Sequence, residues 1–160
     1  MAEAKDVLRP TDDEARRLAR DLIGDARFAA LAVATEDGPQ VSRIALATTP
    51  AGLPLSLVSG LALHTRALLA DARAGLLIGE PGEKGDPLTH PRLSLSATAG
   101  FVARDTAAHE ALRDHWLSLR PKSKLYVDLS DFRFVVFTPT GASLNGGFGR
   151  AFRLTAEDLV

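Results

Sequence analysis

Arg43 lies within residues 40–48, a segment otherwise built of small and apolar side chains. Strand alternation there sets Ile44 and Leu46 on one face and Arg43 with Ala45 on the other. A guanidinium so placed either pairs with a surface carboxylate or is available to an anion. Further along, Ser59, His64, Thr65 and Arg66 cluster where a strand passes through Gly60 into a helix. A helix start presents free N–H groups and the positive end of its dipole. A hydroxyl and a guanidinium beside it suit a phosphate, with Arg43 as a second fork. The same residues also read as a plain cap, a solvent-facing histidine and an exposed arginine. A third feature is Asn145-Gly146-Gly147-Phe148-Gly149-Arg150, where glycines in a strand region call for a bend or for close approach of something flat. A planar ring would fit, and so would a β-bulge with Phe148 and Phe152 packing. The spacing matches neither the dinucleotide-binding nor the P-loop fingerprint.

Other chemistries find little support. His64, His90, His109 and His115 show no metal-ligand spacing, and His109 and His115 stand about 240° apart around a helix, so no metal site is expected. The chain has no Cys, which removes thiolate nucleophiles and Cys-based zinc or iron–sulfur sites. Ser56, Ser59, Ser94 and Ser96 lack the nucleophile-elbow pattern of serine hydrolases. With 19 basic against 20 acidic residues and a net charge of -1, a broadly basic nucleic-acid surface is not expected. Apolar runs stop well short of the roughly 20 residues a bilayer needs. The charged opening has no signal-peptide pattern, so a cytoplasmic protein is expected.

The elements that must position these residues follow from periodicity. At 160 residues, 46% hydrophobic and 24% charged, one core and a single domain over 1–160 are expected. Thr11 reads as the cap of a first helix that ends near Gly24. Extended segments at 28–36 and 40–48 are joined through Asp37-Gly38-Pro39, and a third strand covers 54–60. A helix spans 61–74, a strand returns at 76–80, and 81–90 reads as a surface loop. Leu93, Leu95, Ala97, Ala99 and Phe101 alternate inward along a half-buried strand. Thr106 caps a helix, with Ala108, Leu112, His115, Trp116 and Leu119 near one side, that Pro121 ends. Two closing strands are expected to turn at Pro139-Thr140-Gly141. This order predicts a mainly β fold with packed helices: an antiparallel barrel of six or seven strands.

A first helix, a hairpin carrying Ser42-Arg43-Ile44-Ala45-Leu46, then Leu57-Val58-Ser59 and His64-Thr65-Arg66 opening a helix together resemble the FMN-binding split barrel of the pyridoxamine 5'-phosphate oxidase superfamily. The closing Gly146-Gly147-Phe148-Gly149-Arg150-Ala151 is similar to its haem-utilisation branch. The resemblance implies FMN in a cleft between two protomers, hence a homodimer. Arg43 and Arg66 would hold the phosphate with Thr65 and His64. The backbone of Ile44, Ala45 and Leu46 would run beside the ring, with Ser59 near it. Asn145 and Gly147 would approach the flavin, and Phe148 and Arg150 would face the substrate. The activity implied is oxidoreduction of a small molecule, the flavin supplying the chemistry and no side chain assigned as catalytic. Two alternatives stand beside it. One is a haem- or tetrapyrrole-binding protein with a His ligand and Arg150 or Arg153 pairing propionates. The other is a cofactor-free dimeric scaffold.

Overall fold

A computed structural model describes residues 7–160 and places nine strands and three helices in them. In chain order these are β1 (Leu8–Arg9), α1 (Asp13–Asp25), β2 (Phe28–Thr35), β3 (Gly38–Ala45), β4 (Ala47–Thr48), β5 (Pro54–Ser59), α2 (Leu63–Ala70), β6 (Arg73–Ile78), β7 (Arg92–Phe101), α3 (Ala107–Leu119), β8 (Phe132–Asn145) and β9 (Ala151–Thr155). Antiparallel pairing runs β3–β2–β6–β7–β8–β5, and β5 then takes up β4, the continuation of β3. The ring so formed is the expected small barrel. β9 extends it by pairing with β8, and β1 joins β9 in parallel, which makes the sheet mixed.

Alternation decides which side chains fill the barrel. Ala29, Leu31 and Val33 of β2, Leu76 and Ile78 of β6, and Leu93, Leu95 and Ala97 of β7 are all buried, while their neighbours in sequence face outward. Ala15, Ala19 and Ile23 press α1 onto this core. A second cluster, Ala47, Leu55, Leu57, Trp116, Val127 and Phe134, fixes α3 on the far side.

Three expectations need correction. The cap of α1 is Asp12, not Thr11; its carboxylate accepts from Ala15 N at 2.8 Å, and the Thr11 hydroxyl instead donates to the Arg153 carbonyl. On α3, Leu119 is largely exposed and the buried residues are His109 and Trp116. Most telling, Pro139-Thr140-Gly141 is no turn. β8 runs straight through it with a bulge, Gly141 opposing Ser96 and Pro139 opposing Ala97. β8 pairs with β5 over 132–136 and with β9 over 141–145, so Pro139 sits in the gap between them, where a missing N–H breaks no ladder. The chain reverses instead at 146–150. Among the described residues no helix is long and apolar enough to cross a membrane.

Candidate functional site

The turn from β5 into α2 is held by Asp131, which precedes β8. Its backbone oxygen accepts from Gly60 N at 2.6 Å and its carboxylate from the Ser59 hydroxyl at 2.7 Å. A Cβ at Gly60 would stand 3.0 Å from that carbonyl oxygen, so the close approach depends on glycine. Thr65, fully buried, donates to the Ser59 carbonyl at 2.6 Å. Ser59 and Thr65 are therefore brought together, and both hydroxyls are engaged in fixing the turn. The helix they fix starts at Ala62 without any side-chain cap, leaving its first-turn N–H groups to an outside acceptor.

His64 leaves this first turn toward β3, where its Nδ1 lies 3.0 Å from the Ser42 hydroxyl. The ring is partly buried, and desolvation lowers its pKa, which keeps the imidazole neutral around pH 7. Its Nε2 makes no hydrogen bond among the described residues. Arg43 and Arg66 flank this contact, one residue from Ser42 and two from His64. Arg43 projects from the opposite face of β3 to Ser42 and lays its guanidinium carbon 5.3 Å from the centre of the Phe28 ring. Arg66 is exposed and lines an open cavity of about 840 Å³ between α2 and the β2–β3 hairpin, together with Gln40 and Asp71. Asp71 is held by Arg73, with a shortest contact of 2.7 Å, and its pKa falls to about 2.

The other predicted residues take structural places. Ile44 and Leu46 are buried in the barrel. The Ala45 carbonyl accepts from the Ser56 hydroxyl at 2.6 Å, and the Leu46 carbonyl from Arg120 Nη2 at 2.6 Å. At the β8–β9 turn, the Asn145 side chain accepts from Gly147 N at 3.1 Å, and Gly147 and Gly149 take positive φ angles of 119° and 69°. Phe148 is 94% exposed at its tip, whereas Arg150 turns back to Glu14 of α1 at 2.8 Å. Sequence reasoning gave Ser42, Arg120 and Phe28 no role of their own. The alternation that singled out Arg43 also sets Ser42 on the other face. No local signal links Asp131 to Ser59 across 72 positions.

Among the described residues no group of three or more potential ligands could hold a metal ion directly. His64, as a neutral imidazole, Arg66 and the uncapped helix end lie together on α2 and suit an anionic group with a coordinating centre; Arg43 lies on the opposite face of β3 to Ser42, against Phe28, and the structure does not bring it to Arg66.

No protein-family model matches the chain. The chain is 33% identical over 122 residues to the non-canonical haem oxygenase HOZ, chloroplastic, of Arabidopsis thaliana, covering 76% of this chain but 36% of that protein. A solved haem-binding protein from Mycobacterium smegmatis is 30% identical, with a TM-score of 0.79 over 95% of this chain and 61% of its own. A further solved chain shares 49% identity with a TM-score of 0.85, covering 94% and 98% of the two chains. At 20% and 16% identity, the haem storage protein HutZ of Vibrio cholerae and an FAD-binding protein of Mesorhizobium loti share the fold alone, with TM-scores of 0.66 and 0.63. This chain spans about a third of the length of HOZ and about three fifths of the mycobacterial protein.

Barrel, helix placement and solved neighbours together define a split-barrel fold, similar to that of the pyridoxamine 5'-phosphate oxidase-like superfamily. Within it, the similarity is to the haem-utilisation branch.

Proposed function

We propose that the protein binds haem or a related tetrapyrrole, with His64 as the iron ligand and Arg43 and Arg66 pairing the carboxylates. The observation that carries this reading is the state of His64: neutral, oriented through Nδ1 by Ser42, with Nε2 unpartnered. The other histidines suit ligation less well. His90 has both ring nitrogens engaged by the 81–90 loop, His109 is only 4% exposed, and His115 Nε2 bonds the Thr48 carbonyl at 2.7 Å. Haem-binding relatives at 30% and 33% identity support the same choice over a flavin. Bound haem supplies redox and oxygen chemistry; this chain ligates, orients and neutralises. As in the resemblance drawn from sequence, two copies would share the cleft.

A second reading, FMN with its phosphate at the same helix end, rests on the uncapped first turn of α2 beside Arg66. Titrating the protein with haem, and separately with FMN, tests both. The expected result is a shifted Soret band that persists in His115→Ala and loses its ligated form in His64→Ala, with weaker uptake in Arg43→Ala and Arg66→Ala. No Soret shift, or one indifferent to His64, overturns the haem reading. Tight FMN binding that depends on the two arginines and not on His64 would establish the second. Sedimentation of the loaded protein checks the two-copy arrangement.

A further inference from the structure

We propose that Asn145 is a site of spontaneous covalent modification: its side-chain amide closes onto the backbone nitrogen of Gly146, expels ammonia and is opened by water to a carboxylate. Asn145 is the only asparagine in the chain, and glycine follows it. It ends β8, where the chain reverses over 146–150. Its Oδ1 accepts from Gly147 N at 3.1 Å, so the side chain folds back along the Gly146 peptide and carries its carbonyl carbon beside the Gly146 nitrogen. The same hydrogen bond meets the oxygen on which charge develops as the ring closes. Gly146 has no side chain to obstruct the attack, and both residues are half-buried, within reach of water.

The reaction needs only the chain and water. The Gly146 nitrogen gives its proton to solvent and bonds to Cγ of Asn145; the Cγ–Nδ2 bond breaks, and Nδ2 leaves as ammonia with a proton taken from solvent. Water attacking Cγ then gives an aspartate, and water attacking the backbone carbonyl gives an isoaspartate, with one methylene more in the main chain. One contact restrains the first step. Gly146 N donates to the Arg150 carbonyl at 2.8 Å, and a nitrogen so engaged is a poor nucleophile. The Arg150 side chain is held in turn by Glu14 of α1 at 2.8 Å. Local opening of this turn is therefore the gate. The two products part there. The aspartate keeps the bond from Gly147 N, now to a charged acceptor, and adds a carboxylate on the face it shares with Arg92, its partner across the β7–β8 ladder. The isoaspartate lengthens the strand end and breaks its register with Arg92 and Ala151. None of this depends on the haem reading, because no cofactor takes part.

The test incubates the folded, full-length protein in mildly alkaline buffer and follows intact mass, released ammonia and peptide maps, with hydrogen exchange of the Gly146 amide measured in parallel. Gln40 is the only other side-chain amide, so the peptide map has two sources of ammonia to separate. Conversion at position 145 is expected, at a rate that follows Gly146 exchange. Glu14→Gln should speed both by about two- to fivefold, the change in open population that a surface ion pair supports. Gly146→Ala should keep the fold, since its Cβ would meet nothing closer than Leu18 Cδ2 at 3.4 Å, and should slow the loss of ammonia by crowding the attacking nitrogen. An unchanged mass over many half-times of the urea-unfolded chain, ammonia from Gln40 alone, or a rate indifferent to Gly146→Ala would overturn the proposal. So would Glu14→Gln speeding Gly146 exchange while conversion stays unmoved.

Discussion

Ser42 and His64, 22 positions apart, are joined by a 3.0 Å contact between hydroxyl and Nδ1 that ties β3 to the first turn of α2. With Nδ1 protonated and donating to Ser42, the Nε2 lone pair is free to coordinate. The hydroxyl thus acts as a positioning group for the imidazole. Ser42→Ala is expected to cost about 1 kcal/mol of stability and, if His64 ligates iron, about tenfold or more in haem affinity. Ser42→Thr, which keeps an acceptor oxygen, should restore most of that affinity. A purely structural role would lower stability in Ser42→Ala and leave the Soret titration unmoved.

His64 also sets a pH dependence whose sign is fixed. Burial lowers its pKa from the ordinary value of 6.5, so at mildly acidic pH the unfolded chain binds a proton that the folded chain refuses. Stability therefore rises with pH through this window and levels off once the unfolded imidazole is also neutral. Urea midpoints from pH 5 to 8 should show this rise in the native protein. In His64→Gln the contribution from this position should be missing.

Much of the barrel was legible because its signals are local. The alternation over 92–101 needs only residues two apart to point the same way, and Thr106 capping α3 needs only the N–H of His109 three residues on. Pro139 misled because its tolerance is set from outside the segment. Whether a missing N–H matters depends on where β5 and β9 end along β8, and the intervening sequence does not carry that. The same division holds at the site. Arg43, His64 and Arg66 stood out by type and place. Arg43 was expected to meet Arg66 on one phosphate, and what joins the two segments is the Ser42–His64 contact beside them. Thr65 read as a phosphate-side hydroxyl or a plain cap; in the fold it is a buried anchor donating to the Ser59 carbonyl, with Asp131 holding Ser59.

Arg120 shows how a residue with no expected role can fix the site's frame. Its Nη2 donates to the Leu46 carbonyl at 2.6 Å and to the Ala26 carbonyl at 3.1 Å, at the bend between β3 and β4. The guanidinium is partly desolvated, which lowers its pKa, yet it stays charged at any pH the fold survives. Arg120→Met strands both carbonyls and is expected to cost about 1–3 kcal/mol in urea unfolding. Arg120→Lys should recover only part, since its shorter side chain does not set a donor where Nη2 stands between the two carbonyls.

Gly79 tests how far glycine is obligatory. Its positive φ and a projected Cβ contact of 2.5 Å to the Pro91 carbonyl oxygen combine conformational cost with a backbone clash. Gly52, at φ +87°, has nothing within 4 Å of the same projected atom. Gly52→Ala is therefore expected to cost about 1 kcal/mol. Gly79→Ala should cost distinctly more, because the clash adds to the conformational term. Equal thermal shifts in the two variants would show that the 2.5 Å approach relaxes freely.

Arg73 controls the charge that Arg66 presents, although it lies outside the first turn of α2. Its guanidinium meets Asp71 at 2.7 Å and its backbone N–H donates to the same carboxylate at 3.1 Å, holding that pKa at about 2. Asp71 also lines the cavity that contains Arg66. While it is paired to Arg73 it does not neutralise Arg66, which shares the cavity with Glu36 and Asp37 as well. Arg73→Ala should let the Asp71 pKa climb back toward its ordinary value of 3.8, measurable by carboxyl NMR titration. The released carboxylate then competes for Arg66, so affinity for an anion at α2 should fall about two- to fivefold, as a surface pair of this kind warrants. Arg73→Ala with Asp71→Asn removes the competitor and should restore the affinity. If the single variant binds as the native protein does while the Asp71 pKa rises, Arg66 takes no part in holding the anion.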